Sequence, residues 1–315
     1  MFSFFNYTRM KKIITRSLFL ICSNICFSVW GQQTPMFAHY DYNTVSINPA
    51  HAGYYPDTDI TLTNNGYFNQ LEGSPRNIGV SVNSPVGDKN MGLGAGFIAD
   101  EVGVTKTTNL FLSYAYKIVF DHNYNRARWW SYNPNVLSFG MTTGALFYNE
   151  NLVSLGIQDD PNFTNNTNTT IPTMGVGVLY NHEHIYIGFS APNVLGTSFA
   201  SDKDIELENV LYAYGGYRFF ATHFQEVMMK PNVLFKYVSG APAQVDLNFT
   251  VNYKNRIEAG IGYRTSESIN FLAGFYMFNH FRVLYTYNQA LRSSPINNSH
   301  GIVLSYRLGE GFVQK

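Results

Sequence analysis

Few side chains in this 315-residue chain have the types and spacing that chemistry needs. His182-Glu183-His184 sets two imidazoles two residues apart. A zinc-binding helix presents them one turn apart, at i and i+4, and no helix is signalled, so the triplet reads as a polar turn. Asp202, Asp204, Glu206 and Glu208 recur at every second position and offer the carboxylate oxygens that divalent cations take. In a polar connection they read first as a solvated acidic loop, as does Asp159-Asp160. Gly92-Leu93-Gly94-Ala95-Gly96 lacks the dinucleotide-binding spacing and opens no helix. Gly175/Gly177 and Gly260/Gly262 repeat its i, i+2 pattern, which keeps one strand face small and relieves crowding on that face. No serine sits in a nucleophile elbow. These readings lead us to expect no catalytic residues, no cofactor and no metal site.

The elements behind these residues are strands. From Val245 to Arg264 the side chains alternate. Val245, Leu247, Phe249, Val251 and Tyr253 interleave with Gln244, Asp246, Asn248, Thr250 and Asn252. After a short Lys254-Asn255 turn, Ile257, Ala259, Ile261 and Tyr263 interleave with Arg256, Glu258, Gly260, Gly262 and Arg264. Successive strand residues point to opposite faces, so this is a hairpin with one apolar face. The same code recurs at Leu110, Leu112, Tyr114, Tyr116 and Ile118, at Phe281, Val283, Tyr285 and Tyr287, and at Ile302, Leu304, Tyr306 and Leu308. No helical stretch is available to cover those faces. Apolar-out, polar-in strands of about 10 residues mark a membrane-spanning barrel. A soluble sandwich would have to expose glycine and charge while Phe and Tyr filled its core.

Composition agrees. Only 13% of residues are charged and 16% are aromatic, with zero formal net charge. A soluble domain carries about 25% charge, and a nucleic-acid-binding surface needs a basic stripe that is missing here. A helical membrane protein would show apolar runs of about 20 residues, and none is present.

We read residues 1–31 as a signal peptide: Arg9, Lys11, Lys12 and Arg16 precede the apolar Leu18 to Trp30, and cleavage leaves Gln32 as the mature N-terminus. Met10 is an alternative start. Both cysteines, Cys22 and Cys26, lie inside that segment, so the mature chain carries no thiol and no disulfide. Residues 32–57 form a polar, periplasmic lead-in, and residues 58–315 form the barrel. Strands are expected near 58–69, 76–84, 90–101, 106–120, 134–149, 173–181, 184–191, 210–220, 228–238, 243–254, 256–264, 268–278, 281–289 and 299–308. The fold class is therefore all-β, an up-and-down antiparallel transmembrane barrel of about 14 strands. The long polar connections 150–172, 192–209 and 290–298 fall on one end, and the tight ones near His182-Glu183, Lys254-Asn255 and Asn279-His280 on the other. That asymmetry separates outside from periplasm. The 121–133 connection is long yet falls on the short end; its Arg126, Arg128, Trp129 and Trp130 read as an interfacial anchor. The Asn/Thr-rich stretch Asn162 to Thr170 reads as a flexible surface loop.

Alternation places Lys117, Arg218, Lys236, Asp246, Arg256, Glu258, Arg264, Arg282 and Arg307 on the lumen face. They are either lumen salt bridges or a surface that grips a carboxylate-bearing segment.

Gln33-Thr34-Pro35-Met36-Phe37-Ala38-His39-Tyr40, with Ile47-Asn48-Pro49-Ala50-His51-Ala52-Gly53, resembles the N-terminal signature of the PorP/SprF family of type IX secretion and gliding systems. Glu72-Gly-Ser-Pro75, Ser113-Tyr-Ala-Tyr116-Lys, Gly216-Tyr-Arg218, Lys230-Pro-Asn-Val-Leu-Phe-Lys236, Pro242-Ala-Gln-Val-Asp246-Leu-Asn248, Gly262-Tyr-Arg264 and Ser299-His300-Gly-Ile-Val-Leu-Ser-Tyr306 follow in order, so the likeness spans the mature chain. Thr34, Gly301 and Asn288 stand where the family carries acidic residues. The resemblance implies an outer-membrane barrel that binds secretion components, or one that retains a secreted surface protein by its C-terminal domain. Its expected partners are lipid and protein, with no nucleic acid. A transport channel for small solutes is the alternative. The segment Gln33 to Gly53 is a plug, a lid, a docking arm or a lead-in packed on the rim, with Tyr40, Asn48 and Pro49 its candidate partner-binding residues. Asp246, Arg256, Glu258 and Arg264 are the corresponding candidates on the wall.

Overall fold

The computed structural model describes residues 40–66, 73–87, 90–120, 134–157, 160, 163–195, 209–221, 225–265, 268–291 and 298–312. The alternating segments form β1 (Asp59–Gly66), β2 (Arg76–Val86), β3 (Met91–Val102), β4 (Thr105–Val119), β5 (Val136–Glu150), β6 (Thr167–Asn181), β7 (Ile185–Ala191), β8 (Val210–Tyr217), β9 (Phe219–Phe220), β10 (Val227–Val238), β11 (Gln244–Tyr253), β12 (Ile257–Arg264), β13 (Ser268–Met277), β14 (Phe281–Ala290) and β15 (Ser299–Arg307). Consecutive wall strands pair antiparallel, and β15 returns to β1 from Asp59↔Arg307 to Gly66↔His300. The result is a closed barrel with fourteen wall positions. Closure is what lets strands cross a membrane, because ladder partners replace the water that lipid cannot supply.

The two-residue β9 continues β8 in the same register against β10: Asn232 faces Gly216 and Met229 faces Phe219. The interruption at Arg218 has a local cause. Pro231 of β10 falls opposite Tyr217 in that register and has no N–H to donate to it, while the Arg218 N–H continues the β7 side of the ladder to the His184 carbonyl at 2.7 Å. Pro172 in β6 is tolerated for the converse reason. β7 stops at Ala191, opposite Val176, so no β7 residue asks Pro172 for a ladder bond.

The faces divide as the alternation requires. Leu112 is 63% exposed and Ala115 is fully buried. In the Val245–Arg264 hairpin, Leu247, Phe249, Ile261 and Tyr263 are exposed while Asp246, Asn248, Thr250 and Arg264 are buried. Large apolar side chains outside and polar ones inside is the inverse of a water-soluble sandwich.

Two sequence expectations are corrected. Arg256 is not on the lumen face: it closes the four-residue turn Tyr253–Arg256, with its N–H on the Tyr253 carbonyl at 2.8 Å, and its side chain is exposed. Lys254 and Asn255 take φ of 50° and 48°, which is how a two-residue hairpin turn matches strand twist. The turn therefore consumes Arg256 before the alternation begins. Second, Asn162–Thr170 is not loop throughout, because Thr167–Thr170 extend β6 against Asn149, Tyr148 and Phe147 of β5. Polar Thr and Asn suit this extension, which rises above the exposed apolar belt. The 121–133 connection, Asp159 and the acidic run Asp202, Asp204, Glu206 and Glu208 lie outside the described residues.

The buried apolar side chains gather inside the barrel, not between sheets. Val45 and Ala52 cluster with Ile98, Phe111 and Ala115, and Tyr42 clusters with Leu272, Leu284 and Val303. Residues 40–57 thus fold inward against the wall. Glycines make room: a Cβ at Gly92 would collide with the Ala52 backbone, one at Gly140 with Ala50, and one at Gly177 with the Asn48 side chain. We expect Gly140→Val to destabilise the folded barrel by about 1–3 kcal/mol through overpacking. The same change should open the chain near Tyr40 and Tyr42 to chymotrypsin, read on a gel against the protected wild type.

Candidate functional site

The inner segment is built from three short 3-10 turns, Tyr40–Tyr42, Thr44–Ser46 and Pro49–His51. Asn48 starts the third as its cap: its side chain accepts from the Ala50 N–H at 2.9 Å, and Pro49 supplies a preset φ at the first position. Thr44 and Ser46 return their hydroxyls to the Tyr40 and Asn43 carbonyls. Turns this tight leave carbonyls pointing outward that their own backbone cannot satisfy. Inside a membrane barrel they must find donors on the wall.

They do. Ser190 donates to the Ile47 carbonyl and Ser138 to the Ala50 carbonyl, each at 2.7 Å. Asn83 donates to His51 O at 3.1 Å, and the Lys117 ammonium to Gly53 O. Ser81 donates to the Asn43 side-chain oxygen at 2.7 Å. Asn48, fully buried, donates its amide to the Val178 carbonyl at 3.1 Å and to the Tyr214 hydroxyl at 2.9 Å, touching β6 and β8 at once.

The Tyr40 end is anchored by charge. The Tyr40 hydroxyl donates to Asn232 Oδ1 at 3.0 Å, and Asn232 donates to Asp41 Oδ2 at 3.0 Å. Asp41 also pairs with Lys230 at 3.0 Å. The Tyr42 hydroxyl donates to Glu258 at 2.5 Å, and Tyr276 donates to the same carboxylate at 2.7 Å. The Arg282 guanidinium lies 4.9 Å from the Tyr42 ring centre and 5.0 Å from that of Phe312. Arg307 pairs with Asp59 at 3.0 Å and sits 4.1 Å from the same Phe312 ring. Tyr42 and Phe312, distant in sequence, thus meet at the short-turn end of the lumen.

Burial, with Asp41 and Glu258 nearby, holds the Tyr40 and Tyr42 hydroxyls protonated, their pKa values well above the ordinary range. His51 responds oppositely. Burial and the Arg218 charge push its pKa down to about 3, so it stays neutral between the Tyr54 and Tyr214 rings.

Of the residues singled out from sequence, Tyr40, Asn48 and Pro49 lie on the inner segment, and Glu258 holds Tyr42. Asp246 and Arg264 form a bidentate pair, 2.7 and 2.9 Å, with Gln244 as a further donor. That pair joins neighbouring wall strands two residues from Asn248, whose amide reaches Asn232 at 3.0 Å. Arg256 is not part of the assembly. Sequence reasoning missed Asp41, Tyr42, Ser81, Ser138, Ser190 and Asn232. The available signal was small polar residues recurring beside glycine on inward strand positions. Among the described residues no group of three His, Cys, Asp or Glu could hold a metal ion. What this arrangement can do is bind polypeptide: it presents donors to carbonyls and clamps hydroxyls with carboxylates.

Residues 29–306 match the family model of the type IX secretion system membrane protein PorP/SprF. No curated protein matches the chain. Among solved structures, the toluene transporter TodX of P. putida is similar at 10% identity and a TM-score of 0.49, over 87% of this chain and 95% of that one. The CymD monoaromatic hydrocarbon channel is similar at 13% identity and 0.46, over 88% and 94%. A mutant of the Rh. blastica porin is similar at 7% identity and 0.37, over 80% and 99%.

Two outcomes follow from the geometry. Asp246→Ala strands a buried guanidinium and should cost about 3–5 kcal/mol, whereas joint replacement of Asp246 and Arg264 by Leu and Met should recover most of it. Urea unfolding of the reconstituted barrel measures both. His51, once out of its seat, protonates near pH 6.5, while the seated ring resists to about 3. Seating is therefore fully favoured above pH 6.5 and weakens as pH falls towards 3. His51→Gln should remove the part of that dependence between pH 6.5 and 5, read by chymotrypsin accessibility.

Proposed function

This chain belongs to the PorP/SprF family of type IX secretion system membrane proteins, and we propose that it serves that system from the outer membrane by binding protein, not by conducting solutes. The tight-turn end faces the periplasm and the long-loop end faces outward. The partner is a component of the secretion apparatus or a secreted surface protein retained through its C-terminal domain.

One observation carries the reading: the lumen is occupied by the chain's own residues 40–57, hydrogen-bonded to wall strands from β2 round to β14. A solute channel needs a continuous pathway, and here Tyr40, Asn48 and Ala52 stand inside the barrel with 2% exposure or less. The inner segment is therefore a plug. Tyr40, Asn48, Pro49 and Glu258 act in seating it, and Asp246 with Arg264 stiffens the wall behind it. Partner binding then falls to surfaces outside the lumen. Anchoring a large protein by many modest contacts suits a barrel fixed in place by its lipid belt.

Two measurements test this. Purified wild-type protein in planar bilayers should show no stable conductance, while a chain with Gly140→Val should; a wild-type channel selective for a solute would restore the transport reading. Deleting the gene in the native host should release at least one secreted protein from the cell surface into the medium, or halt its export, and restoring the gene should reverse this. Unchanged surface and medium proteomes would count against the proposal.

A further inference from the structure

The outer face of the wall carries a recess where β7 and β8, of 7 and 8 residues, stand between β6 of 15 and β10 of 12. Its volume is about 540 Å³, and Val176, Phe189, Leu211, Ala213, Phe235 and Tyr237 line it. All of these but Ala213 are exposed. Inside the barrel, Asn48 and Ile47 lie against Gly177 and Ser190. No residue of the inner segment lines the recess, so it opens towards the bilayer.

Side-chain size makes the hollow. The register sets Phe189 of β7, Ala213 of β8 and Phe235 of β10 in one row across the wall. The next outward row is Ile187, Gly215 and Val233. Each row runs large, small, large, so β8 is the floor of a trough walled by side chains of β7 and β10. Those walls stand two strand spacings apart, about 9–10 Å before their own side chains are counted. Tyr237 lies one residue from the end of β10, opposite Leu211. An aromatic residue at a strand end marks the level of the lipid headgroups, and the trough runs from there into the apolar belt.

The dimensions and chemistry of the trough select its occupant. A helix measures about 10–12 Å across with its side chains and does not fit between the two ridges. An extended peptide would bring N–H and C=O groups that need partners in lipid. None are on offer: Phe189, Ala213 and Phe235 are already paired in the wall ladder, Ser190 donates to the Ile47 carbonyl inside, and Tyr212 is buried. A second copy of the barrel is kept off by the same ridges. Protein contacts in a bilayer form where small residues let backbones approach, and here the Phe189 and Phe235 rings flank the small ones. An unbranched hydrocarbon chain is narrow, needs no hydrogen bond, and surrounds this belt in excess.

We infer that this trough is a binding site for one acyl chain of a membrane lipid, which lies along β8 over Ala213 with its headgroup at the level of Tyr237. The site is independent of which protein the barrel serves.

The test uses the purified full-length barrel, stripped of lipid, reconstituted into dimyristoyl phosphatidylcholine vesicles and read by native mass spectrometry. At the activation that removes lipid from the rest of the belt, wild type should keep one lipid per barrel. Ala213→Phe puts a ring on the floor of the trough and should lower that retained lipid about tenfold. Ala259→Phe adds the same ring to an outward position of β12, away from the trough, and should retain lipid as wild type does. Wild type that keeps no lipid, or Ala213→Phe that keeps as much as wild type, overturns the site. A lipid-free dimer of wild type also overturns it, in favour of a second copy. If Ala213→Phe fails to fold, a phosphatidylcholine with a photoactivatable group near its chain end decides on the wild type. Adducts concentrated on β7, β8 and β10 support the site, and adducts spread evenly round the belt overturn it.

Discussion

Everything in this structure depends on one constraint: an irregular backbone is buried inside a membrane barrel, where each carbonyl that its own turns leave open must meet a donor supplied by the wall. Residues 40–57 make only short 3-10 turns, which leave carbonyls at Tyr42, Ile47, Ala50 and Gly53 turned towards the wall. The inner face answers with Arg282, Ser190, Ser138 and Lys117 at the matching heights. Had the wall carried Val or Leu there, each orphaned carbonyl would cost about 1–3 kcal/mol, and the segment would be expelled.

Small residues and charged residues divide the work of seating. On β3, β5 and β6, glycines let the inner segment approach to contact, so the fit there is steric and short-ranged. On β10, β12 and β14, Lys230, Glu258 and Arg282 reach across to Asp41 and Tyr42, so the fit there is electrostatic and directional. A half-buried charge is expensive unless paired, which is why the carboxylates and guanidiniums of the lumen occur as partnered sets. Asp59 with Arg307 and Asp246 with Arg264 follow the same rule. Both pairs also pin adjacent strands in register.

This arrangement leaves the outer surface in two chemically distinct zones. The belt of Leu, Phe, Tyr and Ile suits lipid. The protruding β4–β6 strands leave the belt, turn polar, and then become apolar again at Val153, Leu155 and Ile157.

Much of this was written in the sequence. A period of two in side-chain polarity is a local property, so the wall strands, their facing and the closed all-β class could be read from residues such as Val245 to Arg264. The inward placement of Lys117, Glu258, Arg282 and Arg307 followed from parity alone. Parity failed at Arg256, because a turn residue belongs to neither strand and only the backbone bond to Tyr253 fixed where β12 starts. Which of the readings of the Gln33 to Gly53 segment its geometry favours was not legible for a deeper reason. Tyr40, Asn48 and Pro49 announce an ordered segment, but Asn48 meets Val178 and Tyr214 across separations of 130 and 166 residues. Contacts of that range are set by how the closed wall brings distant strands around a common axis. The sequence determined the wall; only the tertiary structure decided that residues 40–57 lie inside it, hydrogen-bonded to strands far apart in the chain.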